Sequence, residues 1–302
     1  MTARLALALL FITPAALAYP WPTVASRWVL GVAIVLVIVL FAWWRGEFVA
    51  TLLRRRLAIL RRNIRTSGTG AQPADHASVL LRIEGAGELP VPLIAGYVDR
   101  YGLRCTKVRI TSRDQGGHRQ TWVGLTLAAE DNLAALQARS AHLPLHETVD
   151  VLGRRLAGHL REHGWTVTPD DAGQPEPVRD GARESWRALA DGDGFVSAYR
   201  IPVPALPELL DAVWASPAQE TWTAVEFGVR SVAALVALRS AEAPGAAAPV
   251  PGLTRLGGQQ RPALEALALS AVHRLDGHEP ADPDLSARLI WPADVAQAPV
   301  RT

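Results

Sequence analysis

Apolar residues are distributed along this chain in two regimes. Over the first 44 residues they form long uncharged runs, and from residue 78 onward they recur in short alternating or helical periods broken by charged and glycine-rich turns. Residues 28–44 form one such run, bounded by Arg27 and Arg45. As a helix rising ~1.5 Å per residue the run covers about 25 Å, just enough for a hydrocarbon core. Trp28, Trp43 and Trp44 stand at its ends, where indole rings favour the headgroup level. Residues 5–18 form a second run, preceded by Arg4 and interrupted by Pro14. Ala16-Leu17-Ala18 fits a signal-peptidase site, so a cleaved signal peptide is one reading of that run. The other is a retained span, with Tyr19, Pro20, Trp21 and Pro22 as a compact turn between antiparallel helices, and the flanks favour it. Residues 1–46 then form a transmembrane hairpin with helices at about 4–20 and 28–44. Arg54, Arg55, Arg56, Arg61, Arg62 and Arg65 follow against a lone Glu47. By the positive-inside rule everything after residue 45 lies in the cytoplasm.

Residues 47–77 read as a basic juxtamembrane helix and a Ser/Gly/Thr linker. In the body, residues 78–84 alternate as a strand, and 90–100 form a short helix stopped by Gly102. Residues 103–112 and 120–127 read as a hairpin turned at Gly116-Gly117. Asp131 is placed to cap a helix running to Arg139. A longer helix covers 146–163, stopped by Gly164, with a strand at 165–168 beyond it. On that helix Val149, Leu152, Leu156 and Leu160 make one buried stripe, opposite Glu147, Asp150, Arg154 and Arg161. After a loop over 170–181 come a helix at 184–190, a turn at Asp191-Gly192-Asp193-Gly194, a strand at 195–201, a helix at 206–214 and a second hairpin, 221–229 with 232–239.

The fold class is therefore membrane-anchored α/β: two N-terminal transmembrane helices, then a cytosolic α/β sandwich (78–240) with a mixed sheet and helices on one face. Strand, helix and hairpin occur twice in that order, around 78–128 and 195–239. This suits two βαββ-type halves, although the order is also common without common origin. Residues 241–302, rich in Ala and Pro, are expected to be largely flexible, with a mobile tail from Asp276.

Charge sharpens this division. The formal net charge of +2 splits into +8 over residues 1–66, where nine Arg face Glu47 alone, and −6 over the rest. An acidic body argues against nucleic acid, which needs a cationic face. The 54–65 collar mixes leucine with arginine at helical spacing, suited to lying along anionic lipid. Of the 31 basic residues only Lys107 is a lysine, and Cys105 is the sole cysteine, which rules out an intrachain disulfide and a cysteine metal cluster.

Candidate chemistry is sparse. His159-Leu160-Arg161-Glu162-His163 spells the H-x-x-E-H string in which two histidines one turn apart hold zinc and the glutamate polarises water. A membrane-tethered zinc hydrolase is the alternative function this raises. The plainer reading is a core-flanking histidine pair at a helix C-terminus, favoured there by the helix dipole. His142 and His146 straddle Pro144, where capping or exposure is the simpler role. The 191–194 turn lacks the later ligands of a calcium loop. Walker A, G-x-S-x-G and G-x-G-x-x-G motifs are absent, and Lys107 sits in a predicted strand rather than a phosphate loop. Cys105 reads as a buried thiol, and Trp122, Trp165, Trp186, Trp214 and Trp222 as core or interface anchors. No catalytic, cofactor-binding or metal-ligating residue is assigned, and no small-molecule substrate is expected.

Longer strings carry a resemblance. Arg27-Trp28-Val29-Leu30-Gly31 through Trp43-Trp44-Arg45-Gly46, Gly96-Tyr97-Val98-Asp99-Arg100-Tyr101-Gly102, the run from Asp131 to Ser140, Val151-Leu152-Gly153-Arg154-Arg155-Leu156-Ala157 with Gly164-Trp165-Thr166-Val167, and Glu220-Thr221-Trp222-Thr223-Ala224 resemble the EccE family. These are membrane components of the mycobacterial ESX (type VII) secretion machinery, and the likeness reaches to about Gly277. It is nearest the paralogue whose locus is tied to iron and zinc acquisition. The resemblance implies two inner-membrane helices, a cytosolic α/β domain, assembly with EccB, the ATPase EccC and EccD, and a non-catalytic structural role.

Overall fold

The computed structural model describes residues 47–64, 75–138, 144–170 and 173–293, with residues 13, 24, 27, 28, 30–32, 43 and 44 before them. Residues 1–66 and 67–302 form two compact units.

In the first unit β1 (Trp43–Trp44) pairs antiparallel with β2 (Glu47–Phe48), which leads directly into helix α1 (Val49–Ile64). Trp43 and Trp44, expected as the end of the predicted helix at 28–44, are thus in a strand, which tryptophan favours. The rest of the two predicted spans lies almost wholly outside the described residues, as does the linker. Among the described residues no helix is long and apolar enough to cross a membrane. On α1, Leu53, Leu57 and Leu60 fall one turn apart and are each more than half exposed, with Arg54, Arg56 and Arg61 exposed beside them.

The second unit is built on strands β3 (His76–Glu84), β4 (Asp99–Arg100), β5 (Leu103–Gln115), β6 (His118–Ala128), β7 (Thr166–Pro169), β8 (Arg183–Glu184), β9 (Leu189–Asp191), β10 (Gly194–Ile201), β11 (Glu220–Gly228), β12 (Ser231–Ser240), β13 (Thr254–Arg255) and β14 (Glu279–Pro280). Its helices are α2 (Val91–Ala95), α3 (Leu133–Gln137), α4 (Leu145–Glu162), α5 (Leu206–Trp214), α6 (Gln260–Leu267) and α7 (Leu285–Arg288). The main sheet runs β7-β3-β6-β5-β11-β12-β10-β9-β8. Every described pairing is antiparallel, which corrects the expected mixed sheet. Tight hairpins dictate this: Gln115 pairs with His118 across Gly116 and Gly117, whose φ values of 59° and 80° suit a twisted two-residue turn.

Two βαββ halves are present, β3-α2-β5-β6 and β10-α5-β11-β12. In each the first strand is outermost, the third central and the second innermost. The sequence displacement that carries the pair Ile110–Val123 onto Thr223–Val236 also carries Thr111 onto Ala224, its own ladder partner. The Thr111–Ala224 pair therefore marks a local two-fold at the β5–β11 seam.

Strand alternation gives the sheet two faces. Leu81, Ile83, Val108, Ile110, Val123, Leu125, Val225, Phe227, Val236 and Ile201 point to the first, where Val149, Leu152, Leu156 and Leu160 of α4 bury against them. The helix comes close because Gly153 has no side chain: a Cβ there would lie 2.8 Å from Val79 Cγ1. On the second face Trp122 and Trp222 stack at 6.2 Å, and Ala198, Leu235 and Ala237 pack beneath Ala263, Leu264 and Leu267 of α6. Helices thus cover both faces, not one. Gln260 fastens α6 by accepting the Ala198 N–H at 2.6 Å and donating to the Ala198 carbonyl at 3.2 Å.

Three further expectations are corrected. Segment 184–190 is not a helix: Ser185 and Ala188 close a turn between β8 and β9, with the Ser185 hydroxyl accepting the Ala188 N–H, a local bond that competes with helix. Near 131 the cap is replaced by Asn132, whose side chain ties the Arg104 and Ala128 backbone to a 3-10 turn before the short α3. The 241–302 segment, expected to be largely flexible, is packed through residue 293. Trp291 is fully buried and donates its indole N–H to Ser112 Oγ at 2.9 Å, while Leu89 and Ala293 share backbone bonds with Trp291 and Gly87. Ala and Pro hide this in the sequence, since isolated large residues such as Leu275, Leu285 and Trp291 do the burying without a period.

Candidate functional site

The histidine string lies at the end of α4. His159 is half-buried, and its Nδ1 shares a 2.7 Å hydrogen bond with the hydroxyl of the fully buried Tyr97. Burial pushes the Tyr97 phenol well above its ordinary range, so it stays protonated. His163 occupies the C-cap and is exposed, and Gly164 with φ of 86° ends the helix. Among the described residues no three His, Cys, Asp or Glu side chains gather as a metal site. His146 is exposed in the first turn of α4, and His142 lies outside the described residues.

The other singled-out residues take structural roles. Asp191 receives the Arg179 and Asp193 N–H groups and an ion pair from the buried Arg239 at 2.7 Å. Burial pushes its carboxyl upward, but the Arg239 bond and the backbone N–H groups outweigh this and hold it below the usual range. Cys105 is buried in the core, and burial pushes its thiol up to about 12, which removes the reactive thiolate. Trp122, Trp165 and Trp222 are buried, and Trp186 and Trp214 half-buried, so in this body they serve the core.

Polar chemistry gathers elsewhere, on the second face of the sheet. Helix α6 covers only the β10–β12 half of that face. Over the other half, β3, β6 and β5 present Ser78, Leu80, Gly124, Thr126, Lys107, Arg109 and Thr111, every second residue of each strand. Asp170, Gln174 and the 269–271 segment stand around them, enclosing a groove of about 220 Å³. Lys107 is 3% exposed and donates its Nζ to the carbonyls of Ala271 and His273 at 2.5 and 2.7 Å. Arg109 donates Nε and Nη2 to Glu226 Oε2, and further bonds to the carbonyls of Ala266 and His273. Glu226 is fully buried; its Oε1 receives the Leu275 N–H at 3.2 Å and lies 3.0 Å from His278 Nε2 and 3.6 Å from Arg274 Nε.

These contacts set the charges. Burial alone would raise the Glu226 carboxyl, but the bond from His278 and the cations Arg109 and Lys107 override it and pull it to about 2. For Lys107 burial is the largest effect and Arg109 adds repulsion, only partly offset by Glu226, so the amine is pushed down to about 6. The sequence reading passed over this cluster. Its signal was the alternation of Lys107, Arg109, Thr111 and Arg113 with Val108, Ile110 and Ser112, which marks a strand with one polar face, and the presence there of the chain's only lysine.

Residues 116–201, from the β5–β6 turn through β10, match the EccE family model, described as a type VII ESX secretion system translocon. The chain is 51% identical over 282 residues, 92% of its length and 91% of the relative's, to the ESX-3 secretion system protein EccE3 of Mycolicibacterium smegmatis. It is 47% identical to the ESX-3 secretion system protein EccE3 of Mycobacterium tuberculosis, over 98% of this chain and 93% of that one.

Proposed function

This chain belongs to the EccE family, and on that premise we propose that it is a non-catalytic structural subunit of the type VII (ESX) secretion complex of the inner membrane. The observation that carries the reading is identity of 51% across 92% of the chain, and of 47% across 98% of it, so the likeness is not confined to one motif. In this role the two N-terminal apolar runs, within residues 4–20 and 28–42, anchor the chain, and the sheet body in the cytoplasm packs against EccB, EccD and the ATPase EccC. The paralogue that the sequence resembles implies export linked to iron and zinc acquisition, and that link is part of the proposal. Helix α1 supports a contact with anionic lipid: Leu53, Leu57 and Leu60 form an exposed stripe beside Arg54, Arg56 and Arg61, the pattern of a helix lying in the headgroup layer.

The test is extraction of an epitope-tagged chain from membranes in mild detergent, followed by native electrophoresis and mass spectrometry. The expected result is a large particle containing other ESX components, with little of the chain migrating alone. Release of the chain by a salt wash, or its migration as a lone polypeptide, would overturn the reading.

A further inference from the structure

We propose that the groove on the second face of the sheet is a binding site for a small oxyanion, a phosphate or carboxylate, held by the remaining N–H of Lys107 and the hydroxyls of Thr111, Ser78 and Thr126, with Arg109, whose own N–H groups bond Glu226 and backbone carbonyls, adding positive charge beneath it. The groove's volume of about 220 Å³ is several times the roughly 30 Å³ share of a water molecule, so it holds a ligand of a few heavy atoms. Its lining is polar at the base, where three strands contribute hydroxyls and cations, and the Ser78 and Thr126 hydroxyls already sit 2.8 Å apart. Either can turn its proton toward a bound oxygen.

Charge decides the class of ligand. The charged groups around Lys107 are Arg109 on β5, Glu226 on β11, Asp170 at the groove's rim and Arg274 on the segment after α6, with His278 behind Glu226; His273 offers only its carbonyl. Glu226 is the one fully buried carboxylate among them, and Arg109, Arg274 and His278 already share it. Asp170 is engaged by the Trp122 indole N–H at 2.6 Å. Lys107 makes no ion pair among the described residues, and Glu226, shared with Arg109, Arg274 and His278, offsets its charge only in part. An anion in the groove supplies what the protein omits, whereas a cation meets repulsion from both Arg109 and Lys107.

A linked property follows. Lys107 titrates at about 6 in the free protein, and a bound anion raises that value, so binding takes up a proton. Affinity for the anion therefore increases as pH falls from about 8 toward 6. This inference stands apart from the assignment to a secretion complex, because it concerns only the folded body.

Calorimetric titration of the full chain in detergent with sulfate, which does not change protonation near neutrality, tests it at constant ionic strength. The wild-type protein should bind saturably and at least about tenfold tighter near pH 6 than near pH 8. Lys107→Met should abolish binding. Gly124→Val should abolish it independently, because a Cβ at Gly124 extends into the groove only 3.7 Å from Leu80 Cδ1 and leaves the Lys107 bonds intact. Absence of saturable binding, affinity that ignores pH, or unchanged affinity in a folded Gly124→Val protein would each overturn the proposal. Should Lys107→Met fail to fold, the Gly124→Val and pH results decide.

Discussion

Arg109 and Glu226 are ladder partners on the neighbouring strands β5 and β11, and their side chains meet as a forked ion pair, Nε and Nη2 lying 2.9 and 2.7 Å from one carboxylate oxygen. Both are almost wholly inside the protein. They sit beside the seam where the two sheet halves join, so the pair ties one half to the other. The same carboxylate also holds Leu275 and His278 of the returning C-terminal segment.

Replacing Glu226 with Ala leaves a buried guanidinium without its counter-charge, and this should cost about 3–5 kcal/mol of stability. The pair also sets an acid limit. Because the folded carboxyl titrates at about 2 instead of 4.5, its contribution is present above the unfolded value and disappears as pH falls from about 4.5 to 2. Thermal melts across that range should show the loss in the wild-type protein and a flatter dependence in Glu226→Gln.

At Gly153 the helix needs the absence of a side chain more than it needs helix propensity. Gly153→Ala should gain up to about 1 kcal/mol from propensity but lose about 1–3 kcal/mol by forcing Val79 away. The net expectation is a lower melting temperature, and Gly153→Val should lower it further. Gly158, on the same helix with open space around its Cβ, supplies the control: Gly158→Ala should raise it.

Trp291 provides the sharpest measure of the C-terminal segment. If that segment were a loose appendage, Trp291→Ala would be neutral. Buried against Trp214 at 5.4 Å and bonded to Ser112, it should instead cost about 3–5 kcal/mol in chemical denaturation.

His159→Ala with His163→Ala should leave complex assembly and export unchanged, with at most about 1 kcal/mol lost through the missing Tyr97 bond. Secretion assays on cells carrying the double variant check this. Loss of export from an intact complex would point to hydrolytic chemistry at the pair.

Regular elements were legible because their signals are local. Helix α4 spans 145–162 against an expected 146–163, its leucine stripe is buried as read, and both hairpins appear in place, since the diglycine turn of the first and the alternation of both need only neighbouring residues. The strand–helix–hairpin repetition was visible for the same reason. What escaped depends on distant partners. Helix α6 is short, contains Pro262 and is held by the backbone of Ala198, far away in sequence. The Ser185 turn won over a helix because one hydroxyl closes it. The groove escaped because Lys107 acquires its chemistry from Arg109, Glu226 and two carbonyls supplied by residues 271 and 273, and no short motif encodes that.

The backbone bonds of Leu89 and Ala293 to Trp291 and Gly87 have a consequence for biosynthesis. A ribosome making this polypeptide releases the β3–α2 region about 200 residues before the piece that clips onto it, Leu89 against Trp291. The first half consequently waits without that cover while the intervening residues are made. The interval before closure is when this polypeptide most needs a chaperone.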